Sequence, residues 1–340
     1  MLFVTNGDCV GDRLAAGWPS ATVLPWRDLL HEGPIPAGLD PTALAETRAG
    51  FLADCGWAEA SAARDDLAGR DRVLADHRGP IVVWFERDLY DQLQLIQILD
   101  RLTDLPPDAI DLVDLDDAAI GSPATAAGLA ALFDTRRPIG PPAIDLARRA
   151  FAAVRDDSPI ALGELVDVES ADLPYLGGAL RRLAQEYPEP GTGLSRTERQ
   201  IHEAVGRGVH HPDPLFDAAT APEEHRFLSD SAFDLIVGRL SDGSSPLLGR
   251  ADGVPFQPRR SAPDSYNDQA IVTTAAGRAV LAGRSDWIEA AGIDRWVGGV
   301  RLRRPGGRVW RWDDSGSTFR ADAGQAVGSA AEELRGGNTH

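Results

Sequence analysis

The sequence predicts an α/β N-terminal domain with a mostly parallel sheet, followed by a helical and winged-helix-like C-terminal half. Three observations lead there. Over residues 1–134 short apolar runs alternate with helical patterns, the order that builds parallel sheets. One of those runs, Ile81-Val82-Val83-Trp84-Phe85, is apolar at every position, as a strand covered on both faces must be. Beyond residue 191, three helical patterns precede two short strand-like runs, the order of a winged helix.

Residues 2–5 read as a first strand, 9–18 as a helix and 21–24 as a second strand. The stretches 41–55 and 59–77 read as helices, mostly exposed. After the apolar strand, Leu89, Leu93, Ile96 and Leu99 recur at helical spacing, and 111–115 is a fourth strand edged by charge. Arg136-Arg137-Pro138 and Pro141-Pro142 mark a linker into a helical segment that ends near Tyr187-Pro188. Ser195, with Glu198 three residues on, is a capping box opening a helix. Further helices are expected at 213–218, 229–240 and 275–281, with strands at 246–248 and 270–273. The last ordered feature is a hairpin, strands 295–302 and 308–312 meeting at Pro305-Gly306-Gly307. A tail rich in Gly, Ala, Ser and Glu is expected to be disordered. The expected division is therefore 1–134, an α/β ligand-binding or catalytic domain; 135–190, a linker and helical segment; 191–313, winged-helix-like; and 314–340, the tail.

Composition removes several classes of function. The net charge is -18, from 34 basic and 52 acidic residues, which disfavours nucleic acid or anionic lipid for the chain as a whole. Every basic residue is Arg, so lysine Schiff bases and a Walker-type phosphate lysine are excluded. Cys9 and Cys55 have no metal or disulfide spacing. Neither a signal-peptide pattern nor an apolar stretch of spanning length is present, so a soluble cytoplasmic protein with no membrane partner is the expectation. GxGxxG and GxSxG are both missing, which argues against a nicotinamide-binding domain and a serine hydrolase.

In parallel sheets ligands collect at the carboxyl ends of the strands. Three such ends carry polar strings: Asn6-Gly7-Asp8, then Trp26-Arg27-Asp28 with His31-Glu32-Gly33-Pro34, then Glu86-Arg87-Asp88 with Asp91-Gln92. Gathered on one rim, Asp8, Asp28, Glu32, Glu86, Asp88 and Asp91 repel one another unless a cation, an Arg or a shared proton intervenes. Asp8, Glu86 and Asp88 are the expected ligands for Mg²⁺ or Mn²⁺, Asp28 or Asp91 the base, and Arg27 or Arg87 the charge stabiliser. Asn6, Gly7, Trp26, Glu32, Trp84 and Gln92 would line the ligand site. The plainer readings are that Asp8 and Asp88 cap helices, Asp91 complements a helix dipole, and Trp26 and Trp84 are core.

Charge is unevenly spread. Residues 1–134 hold nine Arg against 23 acidic residues, whereas 295–311 holds six Arg and no acid. Arg301, Arg303 and Arg304 are thus the candidate contacts to nucleic acid.

Asn6-Gly7-Asp8, Trp26-Arg27-Asp28 with Glu32-Gly33-Pro34, and above all WFERDLYDQ at 84–92 resemble a bacterial family of domains of unknown function. The resemblance extends to Gly-Leu-x-x-Thr-Glu-Arg at 193–199, Asp-Arg-Trp-x-Gly-Gly at 294–299 and Trp-Arg-Trp-Asp at 310–313. It implies that the N-terminal rim residues are the ones that matter, and it implies no substrate. Two function classes follow. One is a small-ligand protein, the ligand a nucleotide or phosphate ester, with metal-dependent phosphoryl hydrolysis or transfer. The other is a DNA-associated regulator or protein-interaction module built on the winged helix.

Overall fold

The computed structural model of this 340-residue chain describes residues 1–102, 109–115 and 126–322. Four strands run parallel: β1 (Leu2–Asn6), β2 (Thr22–Trp26), β3 (Ile81–Phe85) and β4 (Ile110–Asp114). A short antiparallel β5 (Arg137–Pro138) closes the β4 edge, and the order across the sheet is β2-β1-β3-β4-β5. Thr5 stands beside both Pro25 and Trp84, so the three strands that bear the polar strings end at one level.

Helices α1 (Gly7–Gly17), α2 (Pro41–Asp54), α3 (Ala60–Asp76), α4 (Leu89–Arg101) and α5 (Ala126–Asp134) belong to this half. The chain leaves β1 through α1 toward β2, and leaves β3 through α4 toward β4, in opposite directions across the sheet. The two helices accordingly cover opposite faces. Val10 and Leu14 of α1 pack with Phe3, Trp84 and Val113; Leu93, Ile96 and Leu99 of α4 pack with Leu2, Val4, Ile81 and Val83. Buried Phe3 between buried Leu2 and Val4 is the period-2 alternation of a strand covered on both sides. The gap between β1 and β3 is the point where the winding reverses, the place where doubly wound sheets bind ligands.

Helices α2 and α3 carry a feature beyond their expected exposure. They are largely solvent-facing, as read, but each buries a narrow stripe: they pack on one another through Ala45, Ala49, Ala63 and Leu67, and they turn Arg48 and Arg70 inward. An arginine on a buried face reads as solvent in any hydropathy pattern, which is why the sequence concealed it.

Helices α6 (Pro141–Arg155), α7 (Ile160–Gly163) and α8 (Leu176–Ala184) extend the core on the α4 side, with Ala147, Phe151, Leu180 and Leu183 joining Ile96 and Leu99. Then come α9 (Arg196–Gly206), α10 (Pro212–Thr220) and α11 (Asp230–Ser241), followed by an antiparallel pair, β6 (Leu248–Arg250) and β7 (Ile271–Thr273), and by α12 (Ala275–Leu281). The Ser195–Glu198 capping box forms in full. A second core of Ile201, Val205, Leu215, Phe233, Ile236, Leu240 and Leu248 lies beneath these helices.

After α13 (Trp287–Ala291) the expected hairpin is rearranged. Strand β8 (Ile293–Val297) pairs with β9 (Val300–Arg304) through a turn at Gly298-Gly299, and β10 (Trp310–Asp313) pairs forward with β11 (Thr318–Ala321). The Gly-Gly turn fits because it is pressed onto the end of α6: Gly299 N donates to Val154 O at 2.9 Å, and Ile35 N donates to Gly298 O at 3.0 Å. Strand β11 also corrects the start of the disordered tail, since Phe319 packs on Trp312 and Tyr187 in the main core. The remainder of that tail, 323–340, lies outside the described residues. Among the described residues no helix is long and apolar enough to cross a membrane.

Candidate functional site at the β1–β3 crevice

The acidic residues of the rim do not form one mouth. Arginine sorts them into three groups. On the outer surface Asp8 takes a forked bond from Arg27, which also reaches Asp66 at 2.7 Å. Asp8 and Arg27 are both solvent-exposed, and the hydrogen bonds from Arg27 hold the Asp8 carboxyl below its ordinary range. Asp8 is thus engaged by the arginine that follows β2, and the expectation that it joins Glu86 and Asp88 is corrected, since the acids that cluster there are Glu86, Asp88 and Asp91.

Asp28 is interior. Arg48 of α2 meets one of its oxygens at 2.7 and 3.0 Å, and Arg70 of α3 approaches the other at 3.6 Å. Burial by itself would raise the Asp28 pKa, but the two guanidinium groups outweigh it and keep the carboxyl below the usual value. Arg48 also donates to Leu29 O, Glu32 O and Pro34 O, so it pins the whole loop after β2. Asp28 is thus a tied structural anion, without the open side a general base requires. Glu32 likewise leaves the rim, paired with Arg239 of α11 at 3.0 and 3.2 Å. Arg48, Arg70 and Arg239 were the residues that sequence reasoning missed, and no local signal pointed to them.

The third group is the candidate site. Glu86, Asp88 and Asp91 each offer an oxygen, and these atoms lie within 4.8 Å of one another. Local chemistry explains the placement. The apolar run of β3 ends at Phe85, and Asp88 caps α4 by accepting from Asp91 N at 3.0 Å. That cap swings Asp91 inward, where it is fully buried. One Asp91 oxygen accepts from Asn6 Nδ2 and the other from Glu86 N at 2.5 Å. Gln92 steadies the loop from below, its Nε2 donating to Glu86 O at 2.7 Å. Unlike Asp28, Asp91 is met by neutral donors. Burial, then the charges of Asp88 and Glu86, raise its pKa well above the ordinary carboxylate value.

Opposite stands the start of α1. Asn6 is its N-cap residue, yet its side chain makes no capping bond because it is committed to Asp91. Gly7 has φ +58°, and a Cβ built there would meet nothing within 4 Å. The first turn of α1 thus begins without a side-chain acceptor from its N-cap residue.

Trp26 and Trp84, expected to line the site, are instead core. Trp26 Nε1 donates to Gln97 Oε1 at 2.8 Å beneath Arg70, and Trp84 lies among Phe3, Trp18 and Phe133. Arg87 stays at the crevice, over the ring of Tyr175. The hairpin arginines are engaged by acids from outside their own segment or from its edge: Arg301 with Asp294 at 2.7 Å, Arg303 with Asp294 at 3.8 Å, and Arg304 with Glu289. Helix α11, in the position a recognition helix would take, buries Phe233, Asp234, Ile236, Val237 and Leu240 and ties Arg239 to Glu32. Arg308, exposed beside the Trp310 ring, is the one arginine of the 295–311 segment for which no acid partner is seen among the described residues.

No protein-family model and no curated protein matches this chain.

Proposed function

We propose that the β1–β3 crevice binds a small anionic ligand, a nucleotide or other phosphate ester, together with a divalent cation held by Glu86, Asp88 and Asp91. The observation that carries this reading is Asp91: a buried carboxylate at the point where the sheet winding reverses, clustered with two more acids and met by neutral donors only. An all-oxygen set suits a hard cation such as Mg²⁺ or Mn²⁺. The start of α1, which lacks a side-chain cap, is compatible with an anion beside it. A bound cation would neutralise developing charge on a phosphoryl group, the chemistry of phosphoryl hydrolysis or transfer. The protein's own part is to hold Asp91 through Asn6 and to keep the Glu86–Asp88 loop rigid through Gln92.

The same segment, WFERDLYDQ at 84–92, supplies all three carboxylates. On that ground we infer kinship with the bacterial family that the sequence resembles.

Calorimetric titration with Mn²⁺ tests the reading. Burial and the neighbouring acids raise the Asp91 pKa above the ordinary carboxylate value, so binding should release more protons at mildly acidic pH than at high pH, seen as a dependence of the measured heat on the ionisation enthalpy of the buffer. Asp88→Asn keeps the helix cap but removes a ligand charge, and it should abolish the binding heat. Equal Mn²⁺ binding by wild type and Asp88→Asn would remove the metal site.

A further inference from the structure

A cleft of about 620 Å³ opens where the β3–α4 loop meets α8 and residues 222–225, with Arg87, Asp88, Tyr175, Arg181, Arg196 and His225 on its wall. Most of its cations are already engaged. Arg181 is held by Asp167 and Asp314. Arg182, behind it, is held by Glu186 at 2.6 Å and Glu223 at 2.9 Å. Arg196 donates to Gln185 Oε1 at 2.8 Å and lies 3.5 Å from Glu223.

Arg87 differs. Its guanidinium lies 4.8 Å from the centroid of the Tyr175 ring. Among the described residues it donates no hydrogen bond and forms no ion pair, and its Nε is buried without a partner. A guanidinium carries five N–H donors. Half-buried with none accepted, it has given up hydration that nothing in the protein restores. The Tyr175 ring holds the guanidinium beside the cleft, and a guanidinium fork can give paired donors to two oxygens of one anion.

We propose that Arg87, oriented by Tyr175, is the subsite for a phosphoryl group of the ligand, which extends from this cleft to the carboxylates of the β3–α4 loop. The inference rests on the function proposed above for what occupies the far end, while the phosphoryl subsite itself stands on Arg87. Asp88 lines the same cleft and belongs to the carboxylate cluster, so an oxyanion on Arg87 and a cation among the carboxylates are neighbours. That arrangement grips a metal-chelated phosphate from two sides. A carboxylate ligand satisfies the same fork, and the experiment separates the two.

The full chain is titrated calorimetrically with inorganic phosphate and, separately, with acetate, both in EDTA, using wild type, Arg87→Gln and Arg87→Lys. Phosphate is expected to bind wild type and to weaken at least about tenfold in Arg87→Gln, with Arg87→Lys, which keeps the charge and loses the fork, in between. Acetate is expected to bind more weakly than phosphate. Equal phosphate affinity in wild type and both variants, or no phosphate binding to wild type, overturns the subsite. Acetate binding as tight as phosphate overturns the phosphoryl assignment. Circular dichroism establishes that each variant is folded, and Arg87→Lys serves if Arg87→Gln is not. A Mn²⁺ titration without phosphate separates the two readings. Arg87-dependent phosphate binding without Mn²⁺ binding removes the metal and leaves the subsite, and the converse leaves the metal alone.

Discussion

Asn6, at the end of β1, donates its side-chain amide to Asp91, 85 residues further along the chain in the first turn of α4. This bond crosses the gap where the sheet winding reverses and fastens its two sides together. It also explains why α1 begins without a side-chain cap. The bond holds Asp91 in place but does not neutralise it, and a stability cost follows that pH reveals.

Because the folded-state pKa of Asp91 lies above the ordinary 3.8, its contribution favours the fold below that value and is lost as pH rises through the folded pKa. Asp91→Asn, neutral at every pH, should therefore compare better with wild type at pH 8 than at pH 4.5. Urea midpoints of both proteins at the two pH values check this. A difference that is constant, or that reverses, contradicts the picture of a strained carboxylate.

Arg48 and Arg27 each pair with an aspartate, one inside and one outside. Arg48→Ala strands Asp28 in the core and should cost about 3–5 kcal/mol. Arg27→Ala breaks an exposed pair and should cost under about 1 kcal/mol. Urea unfolding of the two variants should separate them clearly, and comparable losses would mean that Asp28 is not the buried anchor described.

His31 is buried between the ring edges of Tyr90 and Phe227, with no partner on either nitrogen, and burial lowers its pKa to about 4. Between about pH 6.5 and 4 the unfolded chain binds the His31 proton and the folded chain does not, so the His31 contribution to stability rises with pH across that window and is constant above it, opposite in sign to that of Asp91. The full span is worth about 3 kcal/mol. His202, also lowered to about 4 by burial, adds a slope of the same sign. His31→Leu should make a plot of unfolding free energy against pH less positive in slope between about pH 4 and 6.5, and an unaltered slope would refute the assignment.

Gly299 and Gly306 look alike in the sequence but not in the fold. A Cβ on Gly299 would stand 1.8 Å from Arg155 O, whereas Gly306, at φ +87°, has nothing within 4 Å. Gly299→Ala should cost well over about 2 kcal/mol because the hairpin must lift off α6, and Gly306→Ala about 1 kcal/mol from backbone strain alone. Thermal melting ranks them, and a larger loss at Gly306 would contradict the observed turn.

Much of the architecture was legible. The five-residue apolar run of β3 and the Ser195–Glu198 box are local patterns, and each formed as read. The hairpin was misplaced although its signal was present. Gly298-Gly299 is a two-residue turn sequence, but Pro305-Gly306-Gly307 is an equally good one. The choice between them was made by contact with Val154 and Arg155, which no window of sequence contains.

Local pattern alone was enough for the alternating strands and helices of the N-terminal sheet and for placing Glu86, Asp88 and Asp91 just past one strand, because hydrophobic period and helix capping act over a few residues. Which carboxylates meet an arginine depended on packing. Asp28 finds Arg48 at a separation of 20 residues and Glu32 finds Arg239 at 207, while Asp91 finds Asn6. Charge has no period along a chain, and its neutralisation depends on distances that exist only after the elements have packed.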